Sequence, residues 1–349
     1  MTQEYQRPRP TGDGLRLHLN ENTAGCSPKV LAALARLTPT DLAFYPDYDD
    51  VYRETAGYLG VAEDQMVLTN GLDEALVMAT IVALQRRGPD GAVPETIVIR
   101  PAFEMYAITV LSCGGTVVDV APREDFQFPL ENALQAITAR TRLVFITSPN
   151  NPTGVRISND DIAKVAAAVP SEAIVFVDEA YHDFCGDTSL PLIARFPNLV
   201  VGRTFAKAHG LAALRVGVMI GSKQGIAPLR WVTPPYSLNV CAAAGLRAAI
   251  ADNERLQWYV SQVAQSRELV YRFCDRKGFQ YWQSGANFVL ARVGNAAAPL
   301  TEQLKSRGIY IRNKTGDAGC DGCIRVTTGV VEHTERCLAA MEEYLCDVR

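Results

Sequence analysis

The chain holds 349 residues, 48% hydrophobic and 21% charged. These ordinary proportions exclude disorder, collagen and coiled coil, and suit two domains or one large α/β domain carrying a smaller one. Lys plus Arg (34) against Asp plus Glu (38) leaves a net charge of −4, so no basic field draws the chain to nucleic acid. Its polar start, Met1 to Gly14, lacks the apolar region of a secretion signal, and no stretch approaches about 18 consecutive apolar residues. The expectation is a cytosolic protein without a membrane span.

In chain order, short β-rich runs alternate with amphipathic helical runs between about residues 60 and 220. Strands are predicted over 65–68, 96–99, 115–120, 142–146, 173–177, 199–203 and 216–220, with helices over 73–87 and 160–169 in the gaps. This alternation predicts an α/β fold whose large, mostly parallel sheet carries helices on both faces. A long helix over 253–277 follows, then two or three strands and two helices that read as a smaller α+β unit. The expected organisation is an N-terminal arm joined to the small unit (1–40), a large domain (41–250) and a small C-terminal domain (251–349). No G-x-G-x-x-G opens a strand-to-helix turn, which argues against a dinucleotide. Nine cysteines are scattered through candidate core elements, as reduced thiols are. Cys320 and Cys323 form one C-x-x-C pair, half a zinc site with nothing to complete it, so they read as a loop and no metal is expected.

Ligands in doubly wound sheets sit beyond the carboxyl ends of the strands, and four such ends carry chemistry. Thr69 to Ala75 (T-N-G-L-D-E-A) follows a strand and opens a helix, where the motif's backbone N–H groups and the positive helix end suit a phosphate. Ser148 to Gly154 (S-P-N-N-P-T-G) is a rigid turn that projects the Asn151 amide. Val175 to Tyr181 (V-F-V-D-E-A-Y) ends an apolar run in Asp178, a carboxylate that needs a cationic partner when buried. Arg203 to Gly217 places Lys207 and Arg215 about a glycine-bearing loop, and a desolvated lysine is a candidate for Schiff-base chemistry.

Singly, each has a plain structural explanation: Asp178 a strand-end cap, Lys207 and Arg215 surface charges, Asn151 a turn former. Together they supply what pyridoxal 5'-phosphate asks of a protein, which is an amine, an acid for the ring nitrogen, and cations or amides for the phosphate.

On these residues the chain resembles the fold-type I pyridoxal-phosphate enzymes of the class I/II aminotransferase family, and among them the histidinol-phosphate aminotransferases. The likeness runs from L-N-E-N (Leu19 to Asn22) to I-R-V-T-T-G (Ile324 to Gly329). It implies that Lys207 joins the cofactor aldehyde and shuttles the substrate's proton, that Asp178 holds the pyridinium nitrogen, and that Asn151 and Tyr181 donate to the phenolic oxygen. It further implies Tyr106 as the aromatic stacked on the ring, with Phe103 as the substitute. Arg215, Thr204 and the backbone at Gly71, Leu72 and Asp73 would hold the phosphate. Tyr45 would reach in from the neighbouring subunit of a homodimer with shared active sites. Arg325 and Arg312 would bind the substrate's anionic groups, two guanidiniums suiting a dianion, and Asn22 would also meet the substrate.

Two departures stand out: Ala206 where relatives usually carry serine, with Thr204 as compensation, and His209 where phenylalanine is common. The implied activity is a ping-pong exchange between an amino donor, glutamate, and a keto acceptor such as imidazole acetol phosphate. An aromatic amino-acid aminotransferase, a decarboxylase of a phosphorylated amino acid and a non-catalytic cofactor-binding protein remain the alternatives.

Overall fold

The structure, a computed structural model, describes residues 14–347. The signal-free start read from the sequence lies, Gly14 apart, outside them.

Nine elements build the large sheet and its nearest helices. They are β1 (Met66–Asn70), α1 (Leu72–Leu84), β2 (Glu95–Ile99), α2 (Glu104–Ser112), β3 (Thr116–Val120), β4 (Thr141–Thr147), β5 (Ile174–Asp178), β6 (Leu199–Thr204) and β7 (Val216–Gly221). The strand order is β1-β7-β6-β5-β4-β2-β3. Strands β2 to β6 are mutually parallel, and β7 runs antiparallel to both β6 and β1. Strand β1 therefore points the same way as β6, and the carboxyl ends of six strands share one edge.

Every residue of β4 and β5 is buried, as expected of central strands covered on both faces. One core lies on one face around Val144, Ile146, Val175 and Val177, and a second lies on the other around Leu143, Phe145 and Phe176. The alternation of neighbours between the two cores follows the two-residue period of a strand. Helix α1 stops at Leu84 rather than Arg87: Gly88 and Pro89 follow closely, and neither extends a helix well.

A long helix, α3 (Asn253–Lys277), links the two parts. Its first half buries Leu256, Tyr259 and Val263 in the second core, while its second half buries Val270, Tyr271, Phe273 and Cys274 in a third. Over that third core lies an antiparallel sheet of β8 (Gln280–Tyr281), β9 (Phe288–Arg292), β10 (Arg312–Asn313) and β11 (Cys323–Thr327), in the order β10-β11-β9-β8. The N-terminal segment belongs to this part: Leu15 and Arg16 pair in parallel with Ile309 and Tyr310, and Leu15 and Leu17 enter the third core. Among the described residues no helix is long and apolar enough to cross a membrane.

Candidate active site

A cavity of about 250 Å³ opens at the carboxyl edge of the large sheet, where the N-terminal segment and the β10-β11 pair close over it. Lys207, Asp178, Tyr181, Tyr106, Asn151, Thr204, Leu72, Asp73, Arg215, Arg312 and Arg325 all line it.

Asp178 closes β5 at the cavity's floor. One carboxylate oxygen accepts the Ala180 backbone N–H at 2.9 Å and the other accepts the Tyr106 hydroxyl at 2.6 Å. Burial raises its pKa to about 6 against the help of those two donors. Strand alternation turns Glu179 away from the cavity, onto Arg203 at 3.0 Å.

Lys207 lies beyond β6, its Nζ donating to Leu19 O at 3.1 Å. Burial, with Arg325 adding repulsion, lowers its pKa to about 8, so a substantial fraction of the amine is neutral near that pH.

At one end is an anion seat. Gly71 precedes α1 at φ +78°, and a Cβ built there would stand 2.4 Å from the Arg215 guanidinium. Only glycine allows arginine and helix N-terminus so close an approach. Arg215 itself sits at φ +58°, reaching Asp73 at 2.9 Å. The Thr204 hydroxyl is engaged in the turn, donating to Val216 O at 3.3 Å and accepting the Ala206 N–H at 3.2 Å.

The opposite wall comes from the small sheet and the N-terminal segment. Arg312 and Arg325 are register partners on β10 and β11, so their side chains leave the same face. Arg325 donates to His18 O at 2.7 Å and to the side-chain Oδ1 of Asn151, with its guanidinium 5.2 Å from the Phe288 ring centre. Tyr181 accepts from Asn20 at 2.9 Å and packs edge-on against Phe288.

Two implied placements need correction. Tyr106 is not free to stack on a ring in the cavity, because it is 1% exposed and lies flat against Phe145, centres 4.6 Å apart. Its hydroxyl donates instead to Asp178, and Phe103 is the other aromatic that lines the cavity beside it. Asn22 does not line the cavity: its carboxamide is held by Ala208 O at 2.8 Å and the Ala24 N–H. Asn20 lines it instead, at φ +56°. Its left-handed backbone, tolerated by asparagine, turns Asn20 toward Tyr181 and Thr327.

Tyr45 is away from the cavity, 78% exposed and stacked on Tyr236 at 4.2 Å. His209 is buried behind Lys207 against Tyr58 and Phe205; burial lowers its pKa, and it does not line the cavity. Sequence reasoning passed over His18, Glu104 and Lys314, which do. The alternation Arg312-x-Lys314 was the available signal for the lysine.

These groups fit a phosphorylated, nitrogen-bearing ring. The seat that a Cβ would fill suits a phosphate, and a buried carboxylate with no ion-pair partner among the described residues suits a protonated ring nitrogen.

Comparisons with known proteins agree with this geometry. Residues 12–341 match the family model described as aminotransferase class I and II. Histidinol-phosphate aminotransferase of Geobacillus sp. is 34% identical over 98% of this chain and 93% of its own length. That of Anoxybacillus flavithermus is 32% identical over 99% and 93%. Among solved structures, Sinorhizobium meliloti histidinol-phosphate aminotransferase in complex with pyridoxal-5'-phosphate superposes with a TM-score of 0.85 at 26% identity, covering 96% of this chain and 92% of that one. An aspartate aminotransferase of Thermus thermophilus, at 21% identity and TM-score 0.77 over 94% and 91% of the two chains, shares the fold. The chain belongs to the class I and II aminotransferase family.

Proposed function

We propose that this protein is a pyridoxal-phosphate-dependent aminotransferase acting on histidinol phosphate and its keto counterpart, with glutamate as the other amino donor. The observation that carries it is the buried Lys207 amine set between an anion seat at Gly71 and Arg215 and an arginine pair at Arg312 and Arg325. Relatives named for this reaction, similar over nearly the whole chain, support the substrate.

Leu72, Asp73, Thr204 and Arg215 would hold the cofactor phosphate, Asp178 its ring nitrogen, Asn151 and Tyr181 its phenolic oxygen, and Phe103 its ring face. When bound, pyridoxal phosphate supplies the electron sink that stabilises negative charge at the substrate's α-carbon. Asp178 is mostly ionised near pH 7 despite its raised pKa of about 6, and a cation beside it favours that charged form further. Tyr106 and the Ala180 N–H fix the carboxylate's orientation. Lys207 Nζ, partly neutral for want of solvation, carries the substrate's α-proton. Arg325, anchored by Asn151 and His18, aligns the substrate anion. The bracing by two elements limits how far its guanidinium can wander.

Two copies would complete the site. Phe44 (71% exposed), Tyr45 and Trp231 (86%) are apolar groups left to solvent in one chain, as at subunit interfaces, and we assign Tyr45 to its partner's cavity. Sedimentation tests this: a monomer at micromolar concentration contradicts it.

For the reaction, glutamate added to the cofactor-loaded protein should shift the absorption band and yield 2-oxoglutarate, and Lys207→Ala should abolish both. Release of carbon dioxide from a phosphorylated amino acid, with no keto acid from any donor, would replace transamination by decarboxylation.

A further inference from the structure

We propose that Lys314 and His18 are specificity-determining residues that, with Arg312 and Arg325, select a substrate bearing a phosphomonoester tail. This rests on the aminotransferase reading and adds to it two residues and the group they recognise.

Lys314 lies two positions beyond Arg312, and its backbone N–H donates to Cys323 O at 2.9 Å, continuing the β10-β11 ladder past its last paired residues. A two-residue step returns a side chain to the same face, so Lys314, Arg312 and Arg325 present three cations together. The lysine is only 7% exposed, yet it lines the cavity. Successive turns hold it there: Asp317 N–H to Lys314 O, Cys320 N–H to Asp317 O and Cys323 N–H to Cys320 O, each 2.9 Å.

Its ammonium meets the Asp317 carboxylate at 2.5 Å. That partner occupies part of its capacity, since an ammonium has three N–H donors in all. Burial lowers the pKa of Lys314 and Asp317 opposes this. Keeping a buried amine charged is costly unless an anion meets it; Asp317 supplies one, and a doubly charged tail supplies more.

His18 enters from the N-terminal segment, 7% exposed and also lining the cavity. Its Nδ1 is enclosed with no hydrogen-bond partner among the described residues. Burial first, then Arg16, Arg312 and Arg325, press its pKa down to about 4, so the ring is neutral and keeps a single N–H to donate. A neutral donor among three cations suits the third oxygen of a phosphate, whereas a carboxylate offers only two oxygens.

The test compares kcat/KM for histidinol phosphate with that for histidinol, which differs only in the phosphate, on the cofactor-loaded protein. A charge-assisted bond contributes about ten- to a hundredfold. Lys314→Met should lower the ratio by about that factor, chiefly through KM, Lys314→Arg should restore most of it, and His18→Phe should lower it severalfold. Calorimetry with inorganic phosphate supplies a reading independent of turnover, and phosphate should bind Lys314→Met at least tenfold more weakly. If Lys314→Met does not fold, Lys314→Gln and His18→Phe carry the same comparison. Ratios and phosphate affinities of these charge- or donor-removing variants within twofold of the unsubstituted protein overturn the inference. Glutamate separates the two readings: failure to shift the cofactor band refutes transamination, whereas a normal shift with unaltered ratios refutes only the role of Lys314 and His18.

Discussion

The carboxylate of Asp178 is a liability to the cofactor-free protein, and its size follows from the structure. Its folded pKa of about 6 lies above the ordinary 3.8, so the native state binds more protons than the unfolded state between those values. Stability from this group is therefore present below about pH 4 and is lost as pH rises toward 6. At 1.36 kcal/mol per unit, the loss is about 1.6 kcal/mol at pH 5 and about 3 kcal/mol at pH 8. Asp178→Asn removes the charge and keeps the shape. The new carbonyl can accept the Ala180 N–H, and the new amide can donate to the Tyr106 hydroxyl, which in turn donates to Thr147 at 2.7 Å. The variant without cofactor should thus be more stable than the parent at pH 8, with the advantage shrinking by about 1.4 kcal/mol by pH 5. Urea unfolding of both cofactor-free proteins at several pH values reads the difference, in which all other titrating groups cancel. A pH-independent difference, or a variant less stable at pH 8, would refute the argument that desolvation dominates at this carboxylate. The same substitution should abolish amino exchange, because the ring nitrogen loses its counter-charge.

Attachment of pyridoxal phosphate to the cofactor-free protein should accelerate as pH rises through about 8, where Lys207 loses its proton; stopped-flow absorbance showing no inflection between pH 7 and 9 contradicts the lowered amine pKa. Gly71→Ala forces a Cβ into Arg215 and strains a φ of +78°, a backbone cost of about 1–3 kcal/mol. Cofactor affinity by equilibrium dialysis should fall at least about tenfold. Asn151→Ala removes the hydrogen bond from the Arg325 guanidinium to the Asn151 side chain and leaves the one to His18 O. KM for the anionic substrate should rise about tenfold with the loss of a charge-assisted bond, and an unchanged KM would show that the guanidinium keeps its place without Asn151.

The sheet strands and their terminal residues were legible because each depends on neighbours in sequence. Short apolar runs rich in β-branched and aromatic residues, such as Leu143 to Ile146, read as buried strands, and Asp178 ends a strand while Asn151, Gly71 and Lys207 each follow one within a few residues, so a parallel sheet delivers them to one edge. Strand direction was less legible: β7 reverses, which brings Arg215 to that edge from the start of a strand rather than its end.

What only the tertiary structure decided are choices between near neighbours and contacts between distant segments. Leu19 to Asn22 holds two asparagines, and whether Asn20 or Asn22 meets the cavity turns on one left-handed residue and on Tyr181 and Ala208, both more than 150 residues away. The same holds for Phe103 against Tyr106: either ring could face a ligand, until Phe145 covers one and Asp178 takes its hydroxyl. Lys314 and His18, which carry no motif in the sequence, become a wall of the cavity only when the small sheet and the N-terminal segment fold over it. Periodicity reports which face a residue leaves, while burial and partners depend on what the rest of the chain brings to that face.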